Sequence, residues 1–245
     1  MPNFSKKYKA ELIVYNNPNL SGTIPTEIGS LPSSFRWLDA RNCDLSGPIP
    51  EEISNLSGLE RLILRGNSLT GSIPSGVSSL TLLEQFVLGD NSLIGTLPQS
   101  FEDLKKMRVL DLKKNSFQGT IPDVAQWVDL SRFDISNNTF TGSIPNGFFE
   151  NKPELELLYF SNNTLTGPIP ADYYSPPKLI DLYLDGNKLT GTIPIPPTDG
   201  FSSIGELKFT QMHDIFLFYS FDLKTVDFYP IVNFEQRKFC YTETT

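Results

Sequence analysis

One block recurs eight times along the chain and constrains what it can fold into: LSGTIP ending at Pro25, LSGPIP at Pro50, LTGSIP at Pro74, LIGTLP at Pro98, FQGTIP at Pro122, FTGSIP at Pro145, LTGPIP at Pro170 and LTGTIP at Pro194. The block glycines are Gly22, Gly47, Gly71, Gly95, Gly119, Gly142, Gly167 and Gly191, so the spacings are 25, 24, 24, 24, 23, 25 and 24 residues. A fixed period of this size means that one supersecondary unit is repeated and stacked, because a single unit buries too little apolar surface to fold alone. The Leu, Ile and Phe columns of successive units then form one continuous core, and stability is expected to be a sum of nearest-neighbour terms. Gly in the block suits a backbone with unusual torsions or a close approach, and the Pro after Ile stops regular structure where the chain turns.

Ahead of each block lies a short strand. In the third unit Leu59, Leu62, Leu64, Asn67 and Leu69 follow LxxLxLxxNxL, and Leu62 and Leu64 alternate with Arg61, Ile63 and Arg65. A period of two predicts a strand with one face turned inward. After it comes a column of Asn67, Asn91, Asn115, Asn138, Asn163 and Asn187, with Cys43 in the second unit. Asparagine side chains at a buried bend are expected to satisfy backbone groups of adjacent coils that would otherwise lie unpaired, forming a structural ladder in which Cys is an accepted substitute. With strands about 4.8 Å apart, eight coils predict a body roughly 35 Å long.

The period and the LxxLxLxxNxL pattern are those of leucine-rich repeats. The GxIP extension resembles the plant-type class, found in receptor-like kinase ectodomains, receptor-like proteins and polygalacturonase-inhibiting proteins. That resemblance implies an α/β solenoid: a right-handed superhelix with short parallel strands on its concave face and 3-10, short helical or irregular segments on its convex face. It predicts a lead or partial cap over 1–11, about eight repeats over 12–194, and an atypical C-terminal cap or partly disordered tail over 195–245. It also implies ligand recognition without catalysis, at an extracellular or cell-surface location, with a protein, peptide or glycan as ligand and a co-receptor as a further partner. Two departures stand beside it: no cysteine pair precedes residue 12 or follows residue 194, and no kinase signature occurs. A fragment of a longer product and an uncapped relative both stay open.

Charge and composition narrow the partners further. The formal charge of −8, without clustered Lys and Arg, argues against a nucleic-acid surface. No signal peptide is read at the start, and the most apolar run, 215–221, is far shorter than the ~20 residues needed to span a bilayer. His213 is the single histidine, and Cys43 and Cys240 are the two cysteines, so a catalytic triad or a histidine metal site would have to be built around one tail residue, and a disulfide framework cannot be what holds the fold together. No cofactor and no metal is therefore expected. An intracellular protein–protein scaffold is the alternative to a receptor-like or inhibitor-like module.

Candidate ligand contacts follow from the concave face of a solenoid, where these folds present an extended surface. The outward positions read Trp37, Asp39 and Arg41; Arg61, Ile63 and Arg65; Gln85, Val87 and Gly89; Val109, Asp111 and Lys113; Arg132, Asp134 and Ser136; Leu157, Tyr159 and Ser161; Asp181, Tyr183 and Asp185. Trp, Tyr and Arg dominate binding hot spots, which puts Trp37, Arg61, Arg65, Tyr159 and Tyr183 first. Ile63, Val87, Val109 and Leu157 are expected to add exposed apolar area. Sequons place candidate N-glycans at Asn3, Asn19, Asn55, Asn137 and Asn162, the last two immediately before ladder residues and so on the rim of the face.

Overall fold

The computed structural model describes residues 10–194 and 206–208. Nine strands form one parallel sheet in strict chain order: Ala10–Ile13, Phe35–Asp39, Arg61–Ile63, Gln85–Val87, Val109–Asp111, Arg132–Asp134, Leu157–Tyr159, Asp181–Tyr183 and Glu206–Lys208. Each pairs with the strand one coil before and one coil after, as in a leucine-rich-repeat solenoid. The sheet thus opens at Ala10, and the backbone of Glu206–Lys208 continues it in register with Asp181–Tyr183. Most of the expected cap or tail over 195–245, with His213 and Cys240, lies outside the described residues.

The strand alternation sorts side chains by face. Leu38, Leu62, Phe86, Leu110, Phe133, Leu158 and Leu182 stack inward in one column, and Ala40, Leu64, Leu88, Leu112, Ile135, Phe160 and Leu184 in a second; all are buried. In the middle coils this core turns aromatic. Phe86 and Phe101 lie 5.7 Å apart between ring centroids, Phe101 and Trp127 6.1 Å, Trp127 and Phe133 5.9 Å, and Phe133 and Phe160 5.1 Å edge-on. These tilted and edge-on contacts are the arrangements that ring quadrupoles favour.

After each of the first four block prolines a 3-10 helix covers the opposite side: Thr26–Ser30, Glu51–Asn55, Ser75–Ser79 and Gln99–Asp103. Proline suits the position ahead of the first turn, and its carbonyl accepts the first helical bond, as from Ile53 N–H to Pro50 at 3.1 Å. In the fifth coil Asp123 Oδ1 instead accepts the Ala125 N–H at 2.8 Å, and a turn replaces the helix. The buried Lys152 closes the sixth coil on this side, donating to the Val124 carbonyl at 3.1 Å. Burial lowers the pKa of that ammonium, partly offset by nearby Asp123, Asp172 and Glu150.

The period-two reading of the sequence did not foresee a second set of strands. Ser21–Thr23, Asp44–Pro48 and Ser68–Thr70 pair in parallel; so do Ile94–Thr96, Ser116–Thr120 and Thr139–Thr141; Thr166–Gly167 pairs with Lys188–Leu189. They run through the LxGxIP blocks, whose eight glycines all have positive φ, from +72° to +101°. At Gly119 a Cβ would also stand 2.9 Å from the Thr96 methyl of the coil before. The glycine therefore serves both torsion and coil-to-coil approach.

Candidate ligand-binding face

The ladder behind the face is built from side-chain amides. Asn163 Nδ2 donates to the carbonyls of Ile135 at 3.0 Å, Phe160 at 3.1 Å and Ser161 at 3.4 Å, while its Oδ1 accepts the Phe140 N–H at 2.9 Å. Asn67, Asn91, Asn115 and Asn138 repeat the pattern, each linking its own bend to the coil before. Asn187 does the same, donating to the Phe160 and Leu184 carbonyls and accepting from Leu165 N–H. Cys43 supplies one weak donor in that column, its thiol 3.3 Å from the Val14 carbonyl.

The residue before each ladder position takes left-handed backbone torsions, Asn42, Gly66, Asp90, Lys114, Asn137, Asn162 and Gly186, as does Asn16 at the same place one coil earlier, with φ from 49° to 68°. This bend carries the chain off the sheet, and explains why Asn, Asp and Gly fill most of the column. Asn137 and Asn162 are exposed there and bonded to each other, Asn162 Nδ2 to Asn137 Oδ1 at 3.2 Å. The sequon residues Asn19 and Asn55 are exposed as well, and Asn3 lies outside the described residues.

Three outward columns cross the sheet. The register aligns Trp37, Arg61, Gln85, Val109, Arg132, Leu157 and Asp181 in the first, and Asp39, Ile63, Val87, Asp111, Asp134, Tyr159 and Tyr183 in the second. Arg41, Arg65, Gly89, Lys113, Ser136, Ser161 and Asp185 follow in the third, two residues further along each coil. Trp37, Arg41, Arg61, Arg65, Val87, Lys113, Arg132, Tyr159, Asp181, Tyr183 and Asp185 are half-buried, so the structure gathers them on one accessible surface.

Four candidates are not exposed. Asp39 is 0 % accessible, Asp111 and Asp134 3 %, and Ile63 7 %. The aspartates turn back onto their own coils, where the amide two residues on donates to each: Arg41 N–H to Asp39 at 3.3 Å, Lys113 to Asp111 at 3.2 Å and Ser136 to Asp134 at 3.1 Å. Long cationic side chains then lie over them, with Arg41 3.6 Å from Asp39, and Arg132 3.7 Å from Asp111 and 3.0 Å from Asp134. The expectation that these positions offer free carboxylates and apolar area is corrected accordingly. What the aspartates do is hold arginines in place.

Burial, reinforced by Asp134, raises the Asp111 pKa above the ordinary carboxylate value, outweighing Arg132, Lys113 and the backbone bond. A raised folded-state pKa means that Asp111 costs no stability below the unfolded carboxylate pKa near 4, and that the cost appears as the pH climbs through the folded pKa. Asp111→Asn is therefore expected to be more stable than the parent at pH 7, by on the order of 1 kcal/mol. The two melting points should converge below about pH 4; a variant less stable at pH 7 would show that the arginines outweigh the burial.

The face is aromatic and cationic at its N-terminal end. The Arg61 guanidinium sits 4.6 Å above the Trp37 ring, and Arg41 4.6 Å above Tyr15. In the middle Arg65 reaches Asp90 at 2.8 Å, and Lys114 reaches the same carboxylate at 3.5 Å. Towards the C-terminal end Tyr159 and Tyr183 meet with ring centroids 4.9 Å apart, Arg132 lies 5.5 Å from the Tyr159 ring, and the Tyr159 hydroxyl donates to Asp181 at 2.7 Å. Burial, with the bond to Asp181, pushes that phenol above its usual pKa. Ser161 donates to Asp185.

Tyr15 and Asp90 were not singled out from the sequence. Tyr15 precedes the first complete LxxLxL unit, though the register carried back from Arg41 would have found it. Asp90 falls on the bend beyond the strand, where alternation says nothing. Among the described residues no group of three or more His, Cys, Asp or Glu gathers as for a metal ion, and no helix is long and apolar enough to cross a membrane.

The chain matches the family model described as Leucine rich repeat over residues 57–117 and 129–189, and a second, Leucine Rich Repeat, over 34–56. Among curated proteins none matches. Among solved structures it is similar to the plant peptide hormone receptor RGFR1 in complex with RGF2, at 33 % identity and a TM-score of 0.72 over 75 % of this chain and 29 % of that one. The structure of PEPR1 with AtPEP1 is 31 % identical, TM-score 0.66, over 83 % of this chain and 32 % of the other. The Arabidopsis receptor kinase HAESA, in complex with the peptide hormone IDA and the co-receptor SERK1, is 32 % identical, TM-score 0.59, over 75 % and 34 %. The chain thus spans about a third of the length of each of these. With family models over more than half of its length, eight GxIP or GxLP blocks at one period and a nine-stranded parallel sheet in chain order, this chain belongs to the leucine-rich-repeat family, in its plant-type class.

Proposed function

We propose that the chain is a recognition module without catalytic chemistry, and that it binds a peptide or an extended protein segment across the concave face of its nine-stranded sheet. The observation that carries this is the preformed character of the surface. Half-buried Trp37, Arg61, Arg65, Arg132, Tyr159 and Tyr183 stand on one face of the sheet, pinned by one another and by aspartates. Binding then costs little side-chain ordering, and aromatic and arginine anchors are the groups that dominate interface energies. The similar receptors that are in complex with peptides support the same reading, and the HAESA assembly supports a co-receptor as a second partner.

Arg65→Glu combined with Tyr159→Ala tests this. Arg65 is held by Asp90, and Tyr159 joins Arg132, Tyr183 and Asp181, so the pair removes an anchor from each half of the face while leaving the inward columns intact. Ligand captured from native extract is expected to be lost by at least about a hundredfold, as for two hot-spot truncations of about 2 kcal/mol each, with the far-UV spectrum unchanged. Capture retained by the folded double variant would place binding on another surface.

A further inference from the structure

The carboxylates of the face differ in one respect. Asp39, Asp90, Asp111 and Asp134 each have an arginine within 4.0 Å, at 3.6, 2.8, 3.7 and 3.0 Å. Among the described side chains, Asp181 and Asp185, on the last full coil, have no cationic partner; they accept hydrogen bonds from the neutral hydroxyls of Tyr159 and Ser161. The reverse holds at the other end. The Arg61 guanidinium lies over the Trp37 ring, and no carboxylate among the described side chains forms an ion pair with it. Between the two ends the charges cancel locally, Arg65 and Lys114 against Asp90, Arg132 against Asp111 and Asp134, beside half-buried Val87 and Val109.

We infer that the ligand is an extended peptide of dipolar charge pattern, with an acidic side chain over Arg61 and a basic side chain between Asp181, Asp185 and the Tyr159–Tyr183 ring pair. This deepens the reading of the face as a peptide-binding surface and rests on it. A guanidinium stacked on an indole keeps its edge donors free for a carboxylate, and its aromatic bed limits the rotamers it must give up on binding. At the far end a ligand cation meets two carboxylates that, among the described side chains, are bonded only to neutral hydroxyls, and aromatic rings as well; the protein's own Arg132 already lies against one of those rings, 5.5 Å from Tyr159. Arg61 is on the third strand of the sheet and Asp181 on the eighth. Five spacings of about 4.8 Å separate them by roughly 24 Å, which an extended chain rising about 3.3 Å per residue covers in about seven residues.

The test is selection of phage-displayed linear peptides, about a dozen residues long, on the whole chain and in parallel on the Asp181→Arg/Asp185→Arg variant. On the parent, enriched peptides are expected to carry Asp or Glu about seven residues from Lys or Arg. Replacing that basic residue by Gln should weaken binding about tenfold or more. On the variant, acidic residues should replace the basic ones at that end, since reversing a charge reverses which partner it repels. Should the variant fail to fold by circular dichroism, Arg61→Glu serves instead and is expected to lose the acidic preference alone. Peptides enriched without this spacing, or the same peptides on both baits, would overturn the charge pattern and leave the peptide-binding face standing. Enrichment of no peptide at all would overturn both.

Discussion

Asn163→Leu is expected to lower the stability of the chain by about 4 kcal/mol, which for a domain of this size is a fall in melting temperature on the order of 10 °C. Leucine has the same branched heavy-atom skeleton, so the loss is chiefly one of hydrogen bonding. The substitution removes the donors to Ile135, Phe160 and Ser161 and the acceptor for the Phe140 N–H. Phe140 is buried and strand-paired on either side of that amide, so its N–H has no solvent to turn to. An unpaired buried donor or acceptor costs about 1–3 kcal/mol, several times the net worth of a bond exchanged with water. Because the side chain ties its own coil to the coil before it, the damage falls on a nearest-neighbour coupling, the quantity that sustains a solenoid. Thermal unfolding followed by circular dichroism reads this directly. A melting temperature within about 2 °C of the parent would mean that the ladder amides are interchangeable with apolar filler.

Phe133→Ala is the second large effect, at about 4 kcal/mol, and its origin is packing. The ring is fully buried and meets Trp127 at 5.9 Å, Phe148 at 6.0 Å and Phe160 at 5.1 Å, so it joins the fifth coil to the sixth and seventh. Deleting it leaves a void lined by rigid rings that cannot collapse into it, which puts the cost at the upper end of core truncations. Phe133→Leu fills most of the space and is expected to recover more than half of the loss. Chemical denaturation, with the slope held as a check on two-state behaviour, measures both. Equal midpoints for the two variants would assign the effect to the aromatic contacts rather than to the cavity.

Much of this architecture is legible in the residues. The spacing of Gly22 through Gly191 sets the coil length, the alternation around Leu62 and Leu64 assigns the faces, and the asparagine column marks the bend after each strand. These signals are local and periodic, and repetition makes each visible many times over. The second set of parallel strands was not legible, because Ser21–Thr23 and its successors span two or three residues and owe their pairing to the neighbouring coil, not to their own propensity. Asp39, Asp111 and Asp134 were misplaced for a related reason. Alternation correctly puts their Cβ atoms on the outer side of the sheet, yet says nothing about an arginine of the same or the next coil folding down over the carboxylate.

By itself the sequence determined that identical coils must stack, which faces of the strands turn inward, and where the backbone needs glycine or asparagine. All of these follow from short-range sterics and from burial, which recur at every period. Only the tertiary structure decided which side chains each charge meets: Arg65 bound to Asp90, Lys152 buried against the Val124 carbonyl, Arg61 resting on Trp37, Asp181 and Asp185 accepting from the hydroxyls of Tyr159 and Ser161. Those pairings join residues about one coil apart, and which side chains meet there depends on how far each reaches across a neighbouring strand.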